Sequence, residues 1–248
     1  MFFWTTLSNL LPRGVPFAVI LAASMAGGLL NSTPARAQEP VDLALVIAID
    51  CSFSVDRVEY QKQLLGISEA LRNPSVIQAI RSGPMRAVAI SMMLWSDSNH
   101  QVTAIPWTRL RSEEDVRHFA DLILTQPRAI ALGSTSISAA ITYAMTMYRA
   151  NPYPTPRQVL DISGDGRNNT GFPVEKARQA AVFSGVVING LAITQDEPTL
   201  DIYYERNVIG GPGSFVIDAR NYDDYARAMR IKMQREIGYV PVAMAVPQ

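Results

Sequence analysis

The feature that most constrains this sequence is the apolar run Leu43–Ile49, which ends directly at a carboxylate, Asp50. An uninterrupted apolar run of this length is typical of a strand buried on both faces of a parallel sheet. Asp50, Ser52 and Ser54 then place oxygen-bearing side chains at alternate positions. Because ligands of open α/β sheets bind at the carboxyl ends of the strands, we expect these side chains to converge there. Hard oxygen donors with little charge suit an ion such as Mg²⁺, which keeps some of its waters.

Two later loops carry further candidate oxygen ligands. Thr135 lies in the small, hydroxyl-rich stretch Gly133–Ser136, directly ahead of a predicted helix. An ordinary Ser/Thr helix cap is the alternative explanation of that stretch. Asp165 lies between two glycines and follows the predicted strand Gln158–Ile162, so the backbone there can approach a ligand closely.

The rest of the chain alternates between apolar strands and amphipathic helices. This pattern predicts a doubly wound α/β fold with a mostly parallel central sheet and helices on both faces. One antiparallel edge strand is predicted at Gln101–Pro106, hairpinned onto Ala87–Trp95. The other predicted strands are Val186–Ile193 and Phe215–Ile217, and the predicted helices begin near Asp56, Ser75, Ser112, Ile137, Pro173 and Tyr222.

The first 37 residues have the pattern of a secretory signal peptide. Arg13 is the only charge before the mostly apolar run Gly14–Leu30, and Ala35-Arg36-Ala37 provides a small-x-small cleavage site. An uncleaved membrane anchor is the alternative, and the proline, glycine and serine content favours the signal peptide. We therefore expect a periplasmic or secreted protein, cleaved near Ala37, with no stable membrane span afterwards.

The chain that remains is predicted to form one domain, residues 38–237, followed by a C-terminal tail, residues 238–248. Loss of Arg13 and Arg36 leaves two more acidic than basic residues, a balance that does not indicate binding to nucleic acid or to anionic membranes. The single cysteine, Cys51, excludes an internal disulfide, and strand alternation directs its side chain into the core.

The order of these motifs resembles the metal-ion-dependent adhesion site of von Willebrand factor A-type domains. DCSFS follows the first strand, GST precedes a middle helix, and GDG follows the next strand. The resemblance extends over roughly residues 41–237, and GPMRAVAISMMLWS and INGLAI are similar to a group of uncharacterised exported bacterial proteins with such domains. It implies one divalent cation, Mg²⁺ first with Mn²⁺ and Ca²⁺ as alternatives, held directly or through water by Asp50, Ser52, Ser54, Thr135 and Asp165.

The resemblance also implies a function. In the family, the last coordination place takes water or an acidic side chain of a partner, so we expect a non-enzymatic module that binds an unknown protein through an Asp or Glu. One position departs from the pattern: Gly164 stands where a threonine is typical, and Asn168 or Asn169 is expected to supply the missing polar group. Asp161, which interrupts its strand, is expected to be a buried hydrogen-bonded carboxylate and not a ligand.

A magnesium-dependent phosphatase of the haloacid-dehalogenase type is the alternative function, because GDGRNN resembles its GDGxND motif. Such enzymes need a second acid two residues after the nucleophilic aspartate, where this chain has Ser52, and a lysine between the motifs, where it has only Lys62. A purely structural or degenerate site is a third reading. A serine hydrolase is disfavoured, because neither His100 nor His118 lies in a triad context.

Overall fold

The computed structural model describes residues 38–130 and 133–238. The strands are β1 (Leu43–Asp50), β2 (Val88–Trp95), β3 (Gln101–Leu110), β4 (Gln158–Gly164), β5 (Val186–Ile193) and β6 (Val216–Ala219). The helices are α1 (Arg57–Arg72), α2 (Pro74–Ile80), α3 (Glu113–Leu124), α4 (Ile137–Arg149), α5 (Val174–Phe183), α6 (Leu200–Tyr203), which continues as a π-helical turn (Tyr204–Val208), and α7 (Tyr225–Ile237).

The predicted signal peptide and residues 239–248 of the predicted tail lie outside the described residues. Within the part of the chain that is described, no helix combines the length and the apolar character needed to cross a membrane.

In the described residues the strands form one sheet in the order β3-β2-β1-β4-β5-β6. All neighbours run parallel except β2 and β3, which confirms the predicted fold class and its antiparallel edge strand. That edge strand is longer than predicted, since pairing continues past Pro106 to Leu110, which lies opposite Val88. A register shift between Ile90 and Met92 interrupts the ladder near the proline, whose missing N–H is tolerated on an edge strand.

The two faces of β1 carry side chains of different size. The large residues of one face lie in the core cluster that includes α1, α3 and α7, and the small residues of the other face lie in the cluster that includes α4, α5 and the π-helical turn. The large set is Leu43, Leu45, Ile47 and Ile49, and the small set is Ala44, Val46 and Ala48. The small face lets the elements that cover it approach the sheet closely.

The strand register brings the carboxyl-terminal ends of β1 and β4, the two central strands, to the same end of the sheet. Ile49 lies opposite Ser163, so the residues that follow, Asp50 and then Gly164 and Asp165, leave the sheet side by side. The parallel arrangement therefore places two carboxylates from distant parts of the sequence at the same end of the sheet, as predicted.

A buried ionic cluster joins α7 to the middle of the sheet. Asp161 Oδ1 on β4 lies 2.6 Å from Lys232 Nζ on α7, and Lys232 Nζ lies 2.5 Å from Glu236 Oε1. Burial, followed by the charge of Asp161, raises the pKa of Glu236, while the ammonium group of Lys232 opposes that rise. Asp161 is therefore a buried carboxylate within the sheet, as expected, and its partner is an ammonium group.

We predict that Lys232→Met destabilises the protein by about 3–5 kcal/mol, because it leaves the Asp161 carboxylate buried without a counter-charge. The matched control is Lys62→Met, which removes a solvent-exposed ion pair with Asp223 and should change the stability much less, because water screens that pair. Urea unfolding of the two variants measures the difference. Equal losses in the two variants would contradict the assignment.

Candidate metal centre

The turn after β1 is shaped by the first proposed ligand. Asp50 Oδ1 accepts the backbone N–H of Ser52 at 2.7 Å, which bends the chain directly after the strand. The backbone N–H of Phe53 donates to the carbonyl of Gly133 at 2.8 Å, which ties this turn to the loop that carries Thr135. The first and second motifs of the predicted site are therefore adjacent in the fold.

A row of hydrogen bonds connects the first motif to the last. Ser52 Oγ lies 3.2 Å from Ser54 Oγ, and Ser54 Oγ donates to Asp165 Oδ1 at 2.7 Å. Asp165 is only 5 % exposed, and its other oxygen, Oδ2, accepts a hydrogen bond of 3.0 Å from the Tyr222 hydroxyl. A residue directly after the end of β4 would be expected in an exposed loop, but the side chain of Asp165 is buried.

Hydrogen bonds of its backbone hold Thr135 beside the loop that carries Asp165. Its N–H donates to Asn169 Oδ1 at 2.9 Å, and its carbonyl accepts the N–H of Asn169 at 2.9 Å. Its hydroxyl lies 3.6 Å from the point where Gly166 would carry a Cβ, immediately after Asp165. The helix cap of α4 is the next residue, Ser136, so Thr135 is not used as the cap.

The electrostatics of the site come from two buried carboxylates. Asp50 is fully buried, and its Oδ2 has no hydrogen-bond partner among the described residues. Burial and the charge of Asp165 raise the pKa of Asp50 to about 7, and burial also raises the pKa of Asp165. A divalent cation would offset both charges and satisfy the unpaired oxygen, so the residues present fit Mg²⁺.

Two other polar residues near the motifs act differently from the expectation. Asn169 holds Thr135, and Asn168 Oδ1 accepts the N–H of Ser138 at 3.1 Å. Both asparagines therefore secure the loop before α4, and the expectation that one of them replaces the side chain missing at Gly164 is wrong. The space beside Gly164 is taken by Tyr204.

Cys51 is buried, as predicted, and is a free thiol. Burial and the charge of Asp50 raise its pKa to about 12, which keeps the thiol protonated and excludes it as a nucleophile at neutral pH. The described residues contain no group of three or more His, Cys, Asp or Glu side chains arranged to bind a metal, which distinguishes this hydroxyl-rich site from a zinc-type centre.

The sequence reasoning missed two tyrosines that reach the site, Tyr204 and Tyr222. Each lies in a segment that reads only as an amphipathic or acidic helix, more than 35 residues after the last motif. The hydroxyl of Tyr222 contacts Asp165, and that of Tyr204 lies beside Gly164, close to Asp50. Only the packing of the π-helical turn and of the chain before α7 reveals them.

Comparison with family models matches residues 40–241 to the family described as protein of unknown function DUF1194. The chain belongs to this DUF1194 family. A comparison with curated proteins gives no significant match.

Solved structures show which fold this DUF1194 member has. Proximal thread matrix protein 1 from the mussel byssus, with a zinc-occupied MIDAS motif (metal-ion-dependent adhesion site), matches 80 % of this chain and 49 % of its own at 16 % identity and a TM-score of 0.60. The von Willebrand factor type A protein from Catenulispora acidiphila matches 80 % and 43 % at 14 % identity and 0.56. Manganese-loaded TRAP protein from Plasmodium vivax matches 77 % and 73 % at 12 % identity and 0.50.

These matches confirm the resemblance to von Willebrand factor A-type domains at the level of the fold. This chain spans about half the length of the mussel proteins that it matches.

We predict that Asp50→Ala abolishes binding of divalent cations, because Asp50 supplies formal charge at the start of the motif. Ser52→Ala and Ser54→Ala each remove a neutral oxygen and should weaken binding by less. Titration calorimetry with Mg²⁺ and Mn²⁺ compares the three variants with the wild type. Unchanged affinity in Asp50→Ala would refute the site.

The raised pKa of Asp50 also predicts a pH dependence of the metal-free protein. The unfolded-state pKa is about 3.9, so the folded protein binds more protons than the unfolded chain up to about pH 7 and loses stability as the pH rises. Asp50→Asn cannot ionise, so in chelator its stability relative to the wild type should increase between pH 4.5 and pH 8 by more than about 1 kcal/mol. Urea unfolding at both pH values checks this, and a constant difference would contradict it.

Proposed function

We propose that this DUF1194 protein is an exported binding module that holds one divalent cation, Mg²⁺ in preference to Mn²⁺ or Ca²⁺, and uses it to capture an acidic side chain of a partner protein. The observation that carries the proposal is the pair of buried carboxylates, Asp50 and Asp165, which are connected through the N–H of Ser52 and the hydroxyls of Ser52 and Ser54. Among the described residues, Asp50 Oδ2 has no hydrogen-bond partner. Relatives of the same fold that carry zinc or manganese support the use of a cation.

The donor set explains why the partner should be acidic. The two carboxylates balance a doubly charged ion, and the hydroxyls of Ser52, Ser54 and Thr135 add oxygen ligands without charge. The bound cation supplies a Lewis-acidic position that a third carboxylate can occupy in place of water. Ligand exchange of this kind is reversible, which suits adhesion and needs no turnover.

The surface beside the metal loop suggests a second property of the partner. Phe53 lies between Ser52 and Ser54, and its side chain is 77 % exposed. The hydrogen bond of its N–H to Gly133 fixes the backbone, so the ring is presented next to the cation position. Because aromatic side chains are enriched at protein interfaces, we propose that the partner carries an apolar side chain near its acidic one.

The phosphatase alternative is weaker on one specific observation. Lys62, the only lysine between Asp50 and Asp165, lies on α1, and its Nζ is 2.6 Å from Asp223 Oδ1. A phosphatase of this type would need that ammonium at the nucleophilic aspartate. Robust Mg²⁺-dependent hydrolysis of a phosphate ester by the pure protein, lost in Asp50→Asn, would nevertheless overturn the binding function.

Export is proposed from the signal-peptide pattern and the Ala35-Arg36-Ala37 site. Amino-terminal sequencing of the protein recovered from its native cell tests it. Gln38 is the expected first residue in a periplasmic or secreted fraction, and an intact leader on membrane-bound protein would contradict it.

The function is tested with Asp165→Asn, which keeps the volume of the side chain and an acceptor for Ser54. We predict that the variant folds, that Mg²⁺ raises the thermal stability of the wild type but barely that of the variant, and that only the wild type captures a partner from periplasmic extract in a chelator-sensitive way. Phe53→Ser should weaken capture while keeping the Mg²⁺ effect.

The matched control for Phe53 is Phe183, which is 95 % exposed at the end of α5. It lies three residues before β5 begins, and thus at the opposite end of the parallel strands from the metal centre. Phe183→Ser should leave capture unchanged. Equal capture by the wild type with Mg²⁺ and with chelator would refute the proposed function.

A further inference from the structure

Tyr204 reaches the candidate metal centre from a part of the chain that contains none of its motifs. We propose that its hydroxyl is a positioning group for Asp50, in the place where A-type domains typically have the side chain of a threonine. The inference rests on the proposed function, because it concerns the same cation. It adds a residue that the adhesion-site pattern does not contain.

Two glycines form a slot for this tyrosine. A Cβ on Gly164 would lie 2.7 Å from the Tyr204 hydroxyl and 2.8 Å from Asp50 Oδ2, so neither atom could keep its position beside a larger residue. A Cβ on Gly190, one strand away, would lie 2.7 Å from Tyr204 Cδ1. Gly190 pairs with Ile162, so the two glycines lie on the same face of the sheet, and the ring lies across both.

The polar atoms at the end of this slot are unpaired. Tyr204 is fully buried, and neither its hydroxyl nor Asp50 Oδ2 has a hydrogen-bond partner among the described residues. A phenylalanine would fill the same apolar space without the penalty of burying a hydroxyl. Packing alone therefore explains the ring but not its oxygen, which lies beside the unpaired oxygen of a proposed metal ligand.

The backbone that carries Tyr204 is also unusual. Tyr204–Val208 is a π-helical turn that continues α6, and the N–H of Ile209 donates to the carbonyl of Tyr204 at 3.0 Å. Turns of this type insert a residue into a helix and redirect side chains, and they occur often at functional sites. Here the turn directs the ring toward the end of β4.

The contacts give Tyr204 a specific role. The N–H of Ser52 already holds Asp50 Oδ1, and the Tyr204 hydroxyl is a neutral donor on the side of Oδ2, to which it makes no hydrogen bond in this structure. Its role is to donate to Oδ2 once a bound cation keeps Asp50 ionised, so that a donor at each oxygen fixes the plane of the carboxylate. Loss of a group that orients a metal ligand typically lowers metal affinity by about ten- to a hundredfold.

The test is Tyr204→Phe, with Tyr148→Phe as the matched control. Tyr148 is also a buried tyrosine, but its hydroxyl donates to the carbonyl of Val159, away from the metal centre. In chelator, Tyr204→Phe should be at least as stable as the wild type, and Tyr148→Phe should be less stable. In calorimetry with Mg²⁺, Tyr204→Phe should lose about tenfold or more in affinity, and Tyr148→Phe should keep it.

The outcomes separate the two proposals. If the wild type binds Mg²⁺ and Tyr204→Phe binds it with the same affinity, the role of Tyr204 is refuted and the proposed function stands. If the wild type binds neither Mg²⁺ nor Mn²⁺, both proposals fall. If Tyr204→Phe and Tyr148→Phe lose stability and Mg²⁺ affinity to the same degree, Tyr204 has a purely structural role. The proposed positioning role is then refuted.

Discussion

The constraint on which this structure depends is the burial of two carboxylates at the carboxyl-terminal end of the central parallel strands. Asp50 and Asp165 end up side by side because β1 and β4 are neighbours in register, and burial raises the pKa of both. Without a cation, the site keeps its charge only at a cost in stability. The hydroxyl groups of Ser54 and Tyr222 lower that cost by donating to Asp165, whereas Asp50 Oδ2 accepts no hydrogen bond from the described residues in this metal-free structure.

The asymmetry of the sheet makes room for this arrangement. Large side chains on one face of β1 belong to the main core with α1, α3 and α7, while the other face of the sheet carries small residues on β1 and glycines on β4 and β5. On that face, Gly164 and Gly190 admit the ring of Tyr204 to the end of β4. The buried pair of Asp161 and Lys232 anchors α7 beneath the site and keeps a third carboxylate neutralised within the sheet.

Local pattern was sufficient to predict the strands, the order of the motifs and the end of the sheet at which Asp50 and Asp165 meet, because apolar runs and parallel topology determine these. It was not sufficient for the residues around the ligands. Tyr204 and Tyr222 come from segments whose local pattern carries no sign of a site, and their role depends on packing between distant elements. The expectation that Asn168 or Asn169 replaces the side chain missing at Gly164 failed, because both side chains bond to the loop before α4.

The central claim is that one cation lies among the oxygens of Asp50, Ser52, Ser54, Thr135 and Asp165. Its most direct test is an anomalous difference map from crystals of the mature protein grown with Mn²⁺. The account predicts one strong peak per chain, bonded to oxygens of this set, with at least one coordination position open to solvent or to a neighbouring carboxylate. A map with no peak at this end of the sheet, or with its strongest peak elsewhere on the protein, would contradict the account.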